Sequence, residues 1–213
     1  MSATDFSRHQ PLFVADKWSA SMDEAGRGAL AGPLCVAVVA AQEPFAAEVN
    51  DSKKLRPHQR QAMFNDLKPL QDSGVLAIGV GWVSVSEIDE HRMAWSLCAA
   101  IHRAVDALDV PLGQLWIDGP HDLVRDHTGP ASSVPRYCEP RLVGSDRLCA
   151  AASIVAKTLR DEHMVALNDA DGRYGFSQHK GYGTKAHQQA LADHGPSAEH
   201  RQFFLKSSEP TLF

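Results

Sequence analysis

The chain has 213 residues and a formal net charge of −5, and 44% of its residues are hydrophobic and 22% charged. This length is enough for one domain with a substantial core, and the composition excludes an intrinsically disordered chain. No apolar run approaches the roughly 18 residues that a membrane span requires, and the polar start lacks a signal-peptide pattern. We therefore expect a soluble, cytoplasmic, monomeric protein with one domain over residues 1–213.

The first half of the chain predicts four strands and two helices. In chain order they are a strand at 18–22 that leads into two acids, a strand at 34–41, a helix at 57–67, a strand at 75–83, a helix from about 91 to 108 and a strand at 114–117. Apolar runs of strand length indicate the strands, and apolar residues three and four apart indicate the helices. The fourth strand delivers Asp118 to its carboxyl end, where Gly119 and Pro120 stop it.

The second half of the chain is less regular. Residues 121–136 show no period and predict a loop, for which a functional role and a solvated insertion are both open. A fifth strand is predicted at 141–144, and helices are predicted at 148–167 and 184–194, the last one stopped by Gly195 and Pro196. This order of elements predicts an α/β fold with a mixed sheet.

The densest chemistry lies at residues 23–28, Asp-Glu-Ala-Gly-Arg-Gly. The acids can hold a metal ion, and an arginine between glycines can hold a phosphate. Neighbouring side chains of a strand point to opposite faces, so Asp23 and Glu24 can serve one site only if the backbone leaves strand geometry there. Gly26 and Gly28 supply the necessary conformational freedom and bare their N–H groups.

The charged and sulfur-containing residues narrow the choice of ligands. A negative net charge argues at first against a nucleic-acid partner, but bound divalent metal would mask part of the acidity. Four widely spaced cysteines without a Cys-x-x-Cys pair disfavour a zinc site or a disulfide framework. The basic residues cluster within short motifs: Lys53, Lys54, Arg56, Lys157, Arg160, Lys180, Lys185, His187, His200 and Arg201.

Several motifs together resemble those of type 2 ribonuclease H, the ribonuclease HII family. The chain shares the family's Asp-Glu-Ala-Gly-Arg-Gly followed by Leu-Ala-Gly-Pro, and its Asp-Ser-Lys-Lys-Leu at 51–55. Further matches are Ile-Asp-Gly at 117–119, Ala-Ala-Ser-Ile-Val-Ala-Lys at 151–157, Arg-Asp at 160–161, His-Lys-Gly-Tyr-Gly-Thr at 179–184, and Gly-Pro-Ser at 195–197 with His200, Arg201 and Phe203. These matches occur in order between residues 18 and 204.

The resemblance implies a ribonuclease H-like fold, with a central five-stranded mixed sheet flanked by helices. It also implies a C-terminal helical extension at about 170–205 of the same unit and a flexible tail at 206–213. The implied activity is that of a metal-dependent endonuclease that hydrolyses the RNA strand of RNA–DNA hybrids, including single ribonucleotides embedded in DNA. The products would carry 3′-hydroxyl and 5′-phosphate ends, and two Mg²⁺ or Mn²⁺ ions would activate the water and neutralise developing charge.

Four carboxylates are implied as metal ligands and catalytic groups. Asp23 would bridge the two ions, and Glu24 and Asp118 would each complete one side. The fourth acid has two candidates, because the spacing before Ser153 is shorter here than in the family. We favour Asp146, which lies between the predicted fifth strand and the alanine-rich helix, over Asp161, whose alternative role is a salt bridge on the helix surface.

The substrate contacts also follow from the resemblance. Gly26, Arg27 and Gly28 are assigned to the ribonucleotide at the scissile position, with backbone groups reading its 2′-hydroxyl. Tyr182 would stack on the following deoxyribose, although a tyrosine between glycines, taken alone, is a turn residue. The other expected substrate contacts, largely to backbone phosphates, are Lys53, Lys54, Ser153, Lys157 and Lys180.

Three alternatives remain open at this point. Ser153 and Lys157, four apart on one helical face, would suit a nucleophile and its base, although the surrounding alanines favour packing against the sheet. A DNA nuclease or recombinase of the same fold would lack a reader for the 2′-hydroxyl, and an inactive nucleic-acid-binding relative would lack a carboxylate. Finally, Leu212 and Phe213 resemble short peptides that dock into a replication sliding clamp, against the alternative of an idle terminus.

Overall fold

The structure is a computed structural model that describes residues 16–124 and 128–207, with the backbone alone at residues 206 and 207. Its centre is a five-stranded sheet in the order β3-β2-β1-β4-β5. The strands are β1 Trp18–Ala25, β2 Leu34–Ala41, β3 Ala77–Val83, β4 Leu112–Asp118 and β5 Arg136–Glu139. The β1–β2 and β2–β3 pairs are antiparallel, while β1–β4 and β4–β5 are parallel, which confirms the predicted mixed sheet.

Within residues 16–124 and 128–207, six α-helices accompany the sheet. They are α1 Pro57–Asp72, α2 Val85–Asp106, α3 Arg147–Ala170, α4 Phe176–His179, α5 Lys185–His194 and α6 Gln202–Ser207. Helices α2 and α3 cover opposite faces of the sheet, and α1 packs beside α3. The predicted C-terminal helical extension corresponds to α4, α5, α6 and a one-turn helix before them.

Strand β2, which is continuously apolar, is buried on both faces of the sheet. All of its residues are buried. The first, third, fifth and seventh pack towards α2, while the second, fourth, sixth and eighth pack towards α3, as the period of two requires. A Cβ on Gly79 or Gly81 of β3 would overlap carbonyl oxygens of α2, so these glycines allow that helix to lie close to the sheet.

The predicted fifth strand is wrong in position. Residues 141–144 do not form a strand; Leu142–Gly144 is a one-turn 3-10 helix preceded by Arg141 in the left-handed conformation at φ 67°. The fifth strand is Arg136–Glu139, a four-residue edge strand in which Tyr137 is exposed and the other three residues are half-buried. A segment of this length at a sheet edge carries too little apolar periodicity to stand out from the preceding loop.

The predicted loop at 121–136 is more ordered than its composition suggests, although residues 125–127 lie outside the described part. Arg136 pairs with Asp122 and donates to the carbonyls of Ala131, Ser132 and Val134. Val124, Ala131 and Val134 are buried in the core beneath α2. The described ends of this segment are therefore packed against the domain, which disagrees with a solvated insertion, and a functional role for the segment stays a prediction.

Helix α2 begins at Val85, earlier than the sequence pattern suggested, because Ser84 and Glu87 form a capping box. It is interrupted at Arg92, which has φ 70°. The carboxylate of Asp89, in the turn before this break, accepts hydrogen bonds from the N–H groups of Gln202 and Phe203 at 3.0 Å each. Asp89, in the turn before the break in α2, therefore caps the N-terminus of α6.

Two further expectations concern the C-terminal tail and the absence of a membrane-spanning helix. Helix α6 continues to Ser207, so it includes the first two residues of the predicted tail. Leu212 and Phe213 lie outside the described residues. Among the helices of residues 16–124 and 128–207, none is long and apolar enough to cross a membrane.

Candidate active site

The acids of the site lie where two parallel neighbours, β1 and β4, end. The two strands are paired with each other up to the residue before each acid, so Asp23 and Asp118 lie side by side where this pairing ends. Asp23 is 7% exposed, and its Oδ1 accepts a 2.8 Å hydrogen bond from the Glu24 N–H. Parallel strand pairing thus brings together acids that are far apart in the sequence.

The backbone keeps regular strand geometry through both acids of β1. The ladder to β2 continues as far as Ala25, and the backbone departs from it only at Gly26, where φ is 95°. The departure expected at the acids therefore comes after them. Because the strand stays regular, Asp23 and Glu24 leave it towards opposite faces.

The carboxylates repel one another in a poorly solvated position. Burial, and then the charges of Glu24 and Asp118, raise the pKa of Asp23 to about 7, although hydrogen bonds from Ser153 and the Glu24 N–H oppose the shift. Burial also raises the pKa of Glu24; the charge of Arg27 lowers it, and that of Asp118 raises it. A bound cation would relieve this repulsion, so the charges and the oxygen donors fit a divalent metal ion.

The side chains are not drawn together into a finished metal site. Within residues 16–124 and 128–207, no three acidic, histidine or cysteine side chains converge closely enough to hold a metal ion. The opposite directions of Asp23 and Glu24 are one reason. Another is that Asp118 Oδ1 is turned to the N–H of Leu142, at 3.0 Å.

Asp146 lies near the other three acids but has a structural task of its own. Burial raises the pKa of the Cys149 thiol, and the charges of Asp23, Asp118, Asp146 and Glu24 raise it further, so all four acids lie near the first turn of α3. Asp146 is fully buried and caps α3, its Oδ1 accepting from the N–H groups of Leu148 at 2.6 Å and Cys149 at 3.2 Å. Its Oδ2 accepts from the Ser21 hydroxyl at 2.7 Å. These contacts are those of an N-cap, and its predicted role as fourth metal ligand stays a prediction.

Asp161, the competing candidate, is held between two cations. Its carboxylate contacts Arg60 Nη2 and Lys157 Nζ at 2.7 Å each. Arg60 is buried on α1, so this ion pair joins α1 to α3. The contacts agree with the salt-bridge alternative for Asp161.

The segment that follows the acids, residues 26–33, is named here the glycine loop. Gly28 and Arg27 are exposed, and Arg27 Nη1 lies 3.7 Å from Glu24 Oε1. A Cβ added to Gly28 would find no atom within 4 Å, whereas one on Gly26 would overlap the Arg160 guanidinium. Gly26 is therefore required by the fold, and the free space around Gly28 is available to a ligand.

Two buried arginines hold the glycine loop, a role that the sequence did not reveal. Arg201 donates to the carbonyls of Gly26, Arg27 and Gly32 at 2.7 to 3.2 Å. Arg160 donates to the carbonyls of Ala31, Pro33 and Lys180 at 2.9 to 3.1 Å. Neither side chain is exposed. Their membership of the motifs at 160–161 and 200–201 was the only sequence signal, and it did not indicate what they contact.

Tyr182 lies at the rim of a cleft between α1, α3 and α4. Lys157 Nζ and Arg160 Cζ each lie 5.4 Å from the centre of its ring, so the ring is flanked by cations. The cleft has a volume of about 550 Å³. It is lined by Arg60, Lys157, Asp161, Lys180 and Tyr182 among others. Two predicted phosphate contacts, Lys157 and Lys180, therefore adjoin Tyr182.

The predicted contacts from the Asp-Ser-Lys-Lys-Leu motif divide into exposed and buried groups. Lys53 and Lys54 are exposed on the one-turn helix Ser52–Lys54. Ser153 is 2% exposed, and its hydroxyl lies 2.7 Å from that of Ser52. Ser153 also bonds to Asp23, so it supports that acid from within the protein, and its predicted place among the substrate contacts stays a prediction. The nucleophile alternative for Ser153 loses its basis, because Lys157 is paired with Asp161.

Known proteins resemble this chain in sequence over most of its length. The family model of ribonuclease HII matches residues 20–208. A ribonuclease HII from Halorhodospira halophila is 42% identical over 188 residues, which are 86% of this chain and 89% of that protein. Another, from Rhizorhabdus wittichii, is 38% identical over 200 residues, 91% of each chain.

Solved structures give the same fold. Ribonuclease H2 from Pyrococcus horikoshii has a TM-score of 0.70 at 25% identity, covering 87% of this chain and 93% of that one. Ribonuclease HII of Archaeoglobus fulgidus, solved in a complex with PCNA, has a TM-score of 0.68 at 23% identity over 89% and 95% of the two chains. A Mn²⁺ complex of Bst-RNase HIII has a TM-score of 0.60 at 17% identity over 84% and 70%.

The mixed five-stranded sheet and the acids at its strand ends define a ribonuclease H-like nuclease. The chain belongs to the ribonuclease HII family. It is a type 2 ribonuclease H, an endonuclease that cleaves the RNA strand of RNA–DNA hybrids.

The pKa of Asp23 predicts how stability depends on pH without metal. Since the folded-state pKa of about 7 lies above the ordinary aspartate value of 3.8, the free energy of unfolding should fall as the pH rises between these values. Asp23→Asn removes this titration and should be more stable than the wild type at about pH 8, by several kcal/mol at most, as one pKa unit is about 1.4 kcal/mol. Urea unfolding in a chelator at about pH 5 and pH 8 measures the difference, with Asp66→Asn as an exposed control. Equal pH dependence of wild type and Asp23→Asn would contradict the assignment.

Substitutions can distinguish the role of Asp146 as the cap of α3 from its predicted role as a metal ligand. Asp146→Asn keeps an oxygen for the N-cap and should lose little stability, whereas Asp146→Ala should lose about 1–3 kcal/mol. If Asp146 is also the fourth ligand, Asp146→Asn should cost far more activity across a Mg²⁺ titration than Asp161→Asn. Near-normal activity of Asp146→Asn would leave Asp146 as a cap alone.

Proposed function

We propose that this endonuclease cleaves at single ribonucleotides embedded in DNA as well as in longer hybrids, uses two divalent ions, Mg²⁺ or Mn²⁺, and leaves 3′-hydroxyl and 5′-phosphate ends. The observation that carries the proposal is the buried Asp23 carboxyl. Burial and the charges of Glu24 and Asp118 raise its pKa to about 7. The raised pKa shows that the charged form of Asp23 is unfavourable in the free protein, and a bound cation would stabilise that charged form.

The residues that would hold the ions are Asp23, Glu24 and Asp118, with Asp146 as the candidate for a fourth. When bound, the ions would supply Lewis acidity that activates water and stabilises the phosphate's charge. The Mn²⁺ complex of Bst-RNase HIII, which shares the fold, supports a divalent ion in general. Ser153 and the Glu24 N–H orient the Asp23 carboxylate by hydrogen bonds.

The product ends follow from where the phosphodiester breaks. The oxygen of water forms the new bond to phosphorus, and the bond from phosphorus to the 3′-oxygen breaks. The electron pair leaves with that oxygen, which takes up a proton and becomes the 3′-hydroxyl. The phosphate stays on the 5′ side of the next nucleotide.

Recognition of the ribonucleotide would fall to the glycine loop and Tyr182. Gly28 is exposed with open space around it, so a sugar can approach its backbone closely enough to bond through the 2′-hydroxyl. The carbonyls on either side of Arg27 are fixed by Arg201, which limits the conformations of this backbone. Tyr182, flanked by Lys157 and Arg160, offers a ring at the rim of the cationic cleft.

The Gly28→Ala variant tests this reading. A methyl group there meets no protein atom, so stability should be unchanged, but it would occupy the approach of the sugar. We expect kcat/KM on a DNA duplex with one ribonucleotide to fall roughly tenfold or more, as for an interrupted polar contact. Gly172→Ala, at another open and exposed glycine, is the matched control. Unchanged cleavage by Gly28→Ala would contradict backbone reading of the ribose.

We also propose that Leu212 and Phe213, which lie outside the described residues, dock into a replication sliding clamp. The support is the hydrophobic pair in a polar segment and the fold shared with the Archaeoglobus fulgidus ribonuclease HII solved with PCNA. Ordering such a segment on binding would keep the affinity modest.

Removal of the last five residues tests the clamp proposal. Cleavage of a short duplex should stay unchanged, while capture by the immobilised sliding clamp of the same organism should weaken. A Leu212→Ala, Phe213→Ala double variant should behave like the truncation. The absence of measurable clamp binding by the full chain would rule the proposal out.

A further inference from the structure

Three histidines lie behind residues 179–184, named here the Tyr182 loop. His187 and His200 are buried, at 0% and 1% exposure, and their Nε2 atoms are 3.0 Å apart. The ring of His179 stacks on that of His187 with centroids 4.4 Å apart. The ribonucleotide chemistry described above uses none of these side chains.

The hydrogen bonds around His187 and His200 run in one direction. The backbone N–H of Ser197 donates to His200 Nδ1 at 3.0 Å, so this nitrogen carries no proton, and the Ser197 hydroxyl, 2.9 Å from it, then donates to it as well. A neutral His200 then has its proton on Nε2 and donates to His187 Nε2. His187 in turn has its proton on Nδ1 and donates to the carbonyl of Tyr182 at 3.0 Å. These four groups, from Ser197 to Tyr182, are named the histidine relay.

The relay ends on the backbone that carries Tyr182. Next to it, the N–H of Gly181 donates to His179 Nδ1 at 3.2 Å. The carbonyl of Gly181 accepts from the N–H groups of Leu30 at 2.8 Å and Ala31 at 3.3 Å. The imidazoles therefore hold the peptide groups on both sides of Tyr182, and the same backbone holds the glycine loop.

An additional proton disrupts the relay. On His200 Nδ1 it would face the Ser197 N–H, whose hydrogen bond would be lost even if the Ser197 hydroxyl turned to accept the proton. On His187 Nε2 it would face the proton of His200. Burial and then the charge of His187 lower the pKa of His200 to about 4, and burial lowers the pKa of His187. The charge of His179 lowers both values, whereas that of Asp171 raises the pKa of His200. The other polar or aromatic groups packed around the pair are Tyr174, Phe176 and Ser197.

We propose that His187 and His200 are positioning residues for ribonucleotide recognition. The neutral, complete relay supports this recognition. Protonation or interruption of the relay weakens it. The inference rests on the proposed function. With the relay intact, Tyr182 and the glycine loop keep the relative position needed to contact a ribose and its neighbour. With the relay broken, the exposed lysines still attract phosphates, so binding to DNA persists while preference for a ribonucleotide declines.

The test compares binding of two duplexes in a chelator, so that no cleavage occurs. One is DNA with a single ribonucleotide, the other the same sequence in DNA alone, and the ratio of their Kd values is measured from about pH 8 to about pH 4. Asp23 also titrates in this range, but its charge acts on both duplexes and cancels in the ratio. The wild-type ratio should hold from about pH 8 to about pH 5 and fall several-fold by about pH 4, where His200 takes up a proton and the relay breaks.

The variants separate the two histidines. His187→Leu should lower the ratio at about pH 8 by roughly fivefold, the usual effect of one lost hydrogen bond. His200→Leu should lower it less, and the double variant should be no worse than His187→Leu, because His200 acts through His187. His194→Gln, at an exposed histidine on the same helix, should behave as wild type. The ¹⁵N shifts of the wild-type imidazoles should show protons on His187 Nδ1 and His200 Nε2.

Three results would overturn the inference. The first is a wild-type ratio that is high at about pH 8 and independent of both pH and the two substitutions. The second is a ¹⁵N pattern with the proton on His187 Nε2, which needs no folded variant to observe. The third, no wild-type preference at any pH, would remove the proposed ribonucleotide recognition itself, and the inference with it, while the shifts still report the tautomers.

Discussion

The site depends on two guanidinium groups buried among backbone carbonyls. Arg201 and Arg160 donate to six different carbonyl groups, five of them in the glycine loop and one in the Tyr182 loop. Burying cations is costly, and burial lowers the pKa of Arg201 to about 9. The cost is offset only while every donor has its acceptor, so both loops must keep their shape for the arginines to stay buried. Two loops distant in sequence thereby become one rigid surface.

The acids follow the opposite logic. The arginines are satisfied by the fold, whereas Asp23 and Glu24 are placed where burial and mutual repulsion raise the pKa of each. A region built this way lowers the stability of the free protein, and the loss is recovered when the intended ligand binds. A net charge of −5 is thus compatible with a nucleic-acid enzyme. Its cations line the cleft beside Tyr182, and its acids are concentrated at the strand ends.

The sequence predicted those elements and site residues that have a strong hydrophobic periodicity or belong to a dense motif. Strand β2 occurs at the predicted residues because burial on both faces makes it continuously apolar. Strand β5 was misplaced because four residues at an edge show no such signal. The motifs located Asp23, Glu24 and Asp118, but no pattern could show that Asp146 also caps a helix, that Ser153 faces inward, or that Arg160 and Arg201 bind carbonyls. Each of these depends on which surfaces meet after folding, and composition and spacing do not contain that information.

The cap that Asp89 provides for α6 has a consequence for the order in which the site is completed. Arg201 reaches Gly26 across 175 positions of sequence, and it directly precedes the helix whose first N–H groups Asp89 binds. During synthesis, the acids and the glycines of β1 and its following loop leave the ribosome early, and the residue that fixes their conformation leaves near the close of translation of the domain. A nascent chain that ends before residue 201 would have its acidic strand in place, but the Gly26 and Arg27 carbonyls of its glycine loop would lack the donor that Arg201 supplies. The full set of contacts on the glycine loop thus forms only after residue 201 has been made, so this part of the site is completed late in the folding of the domain.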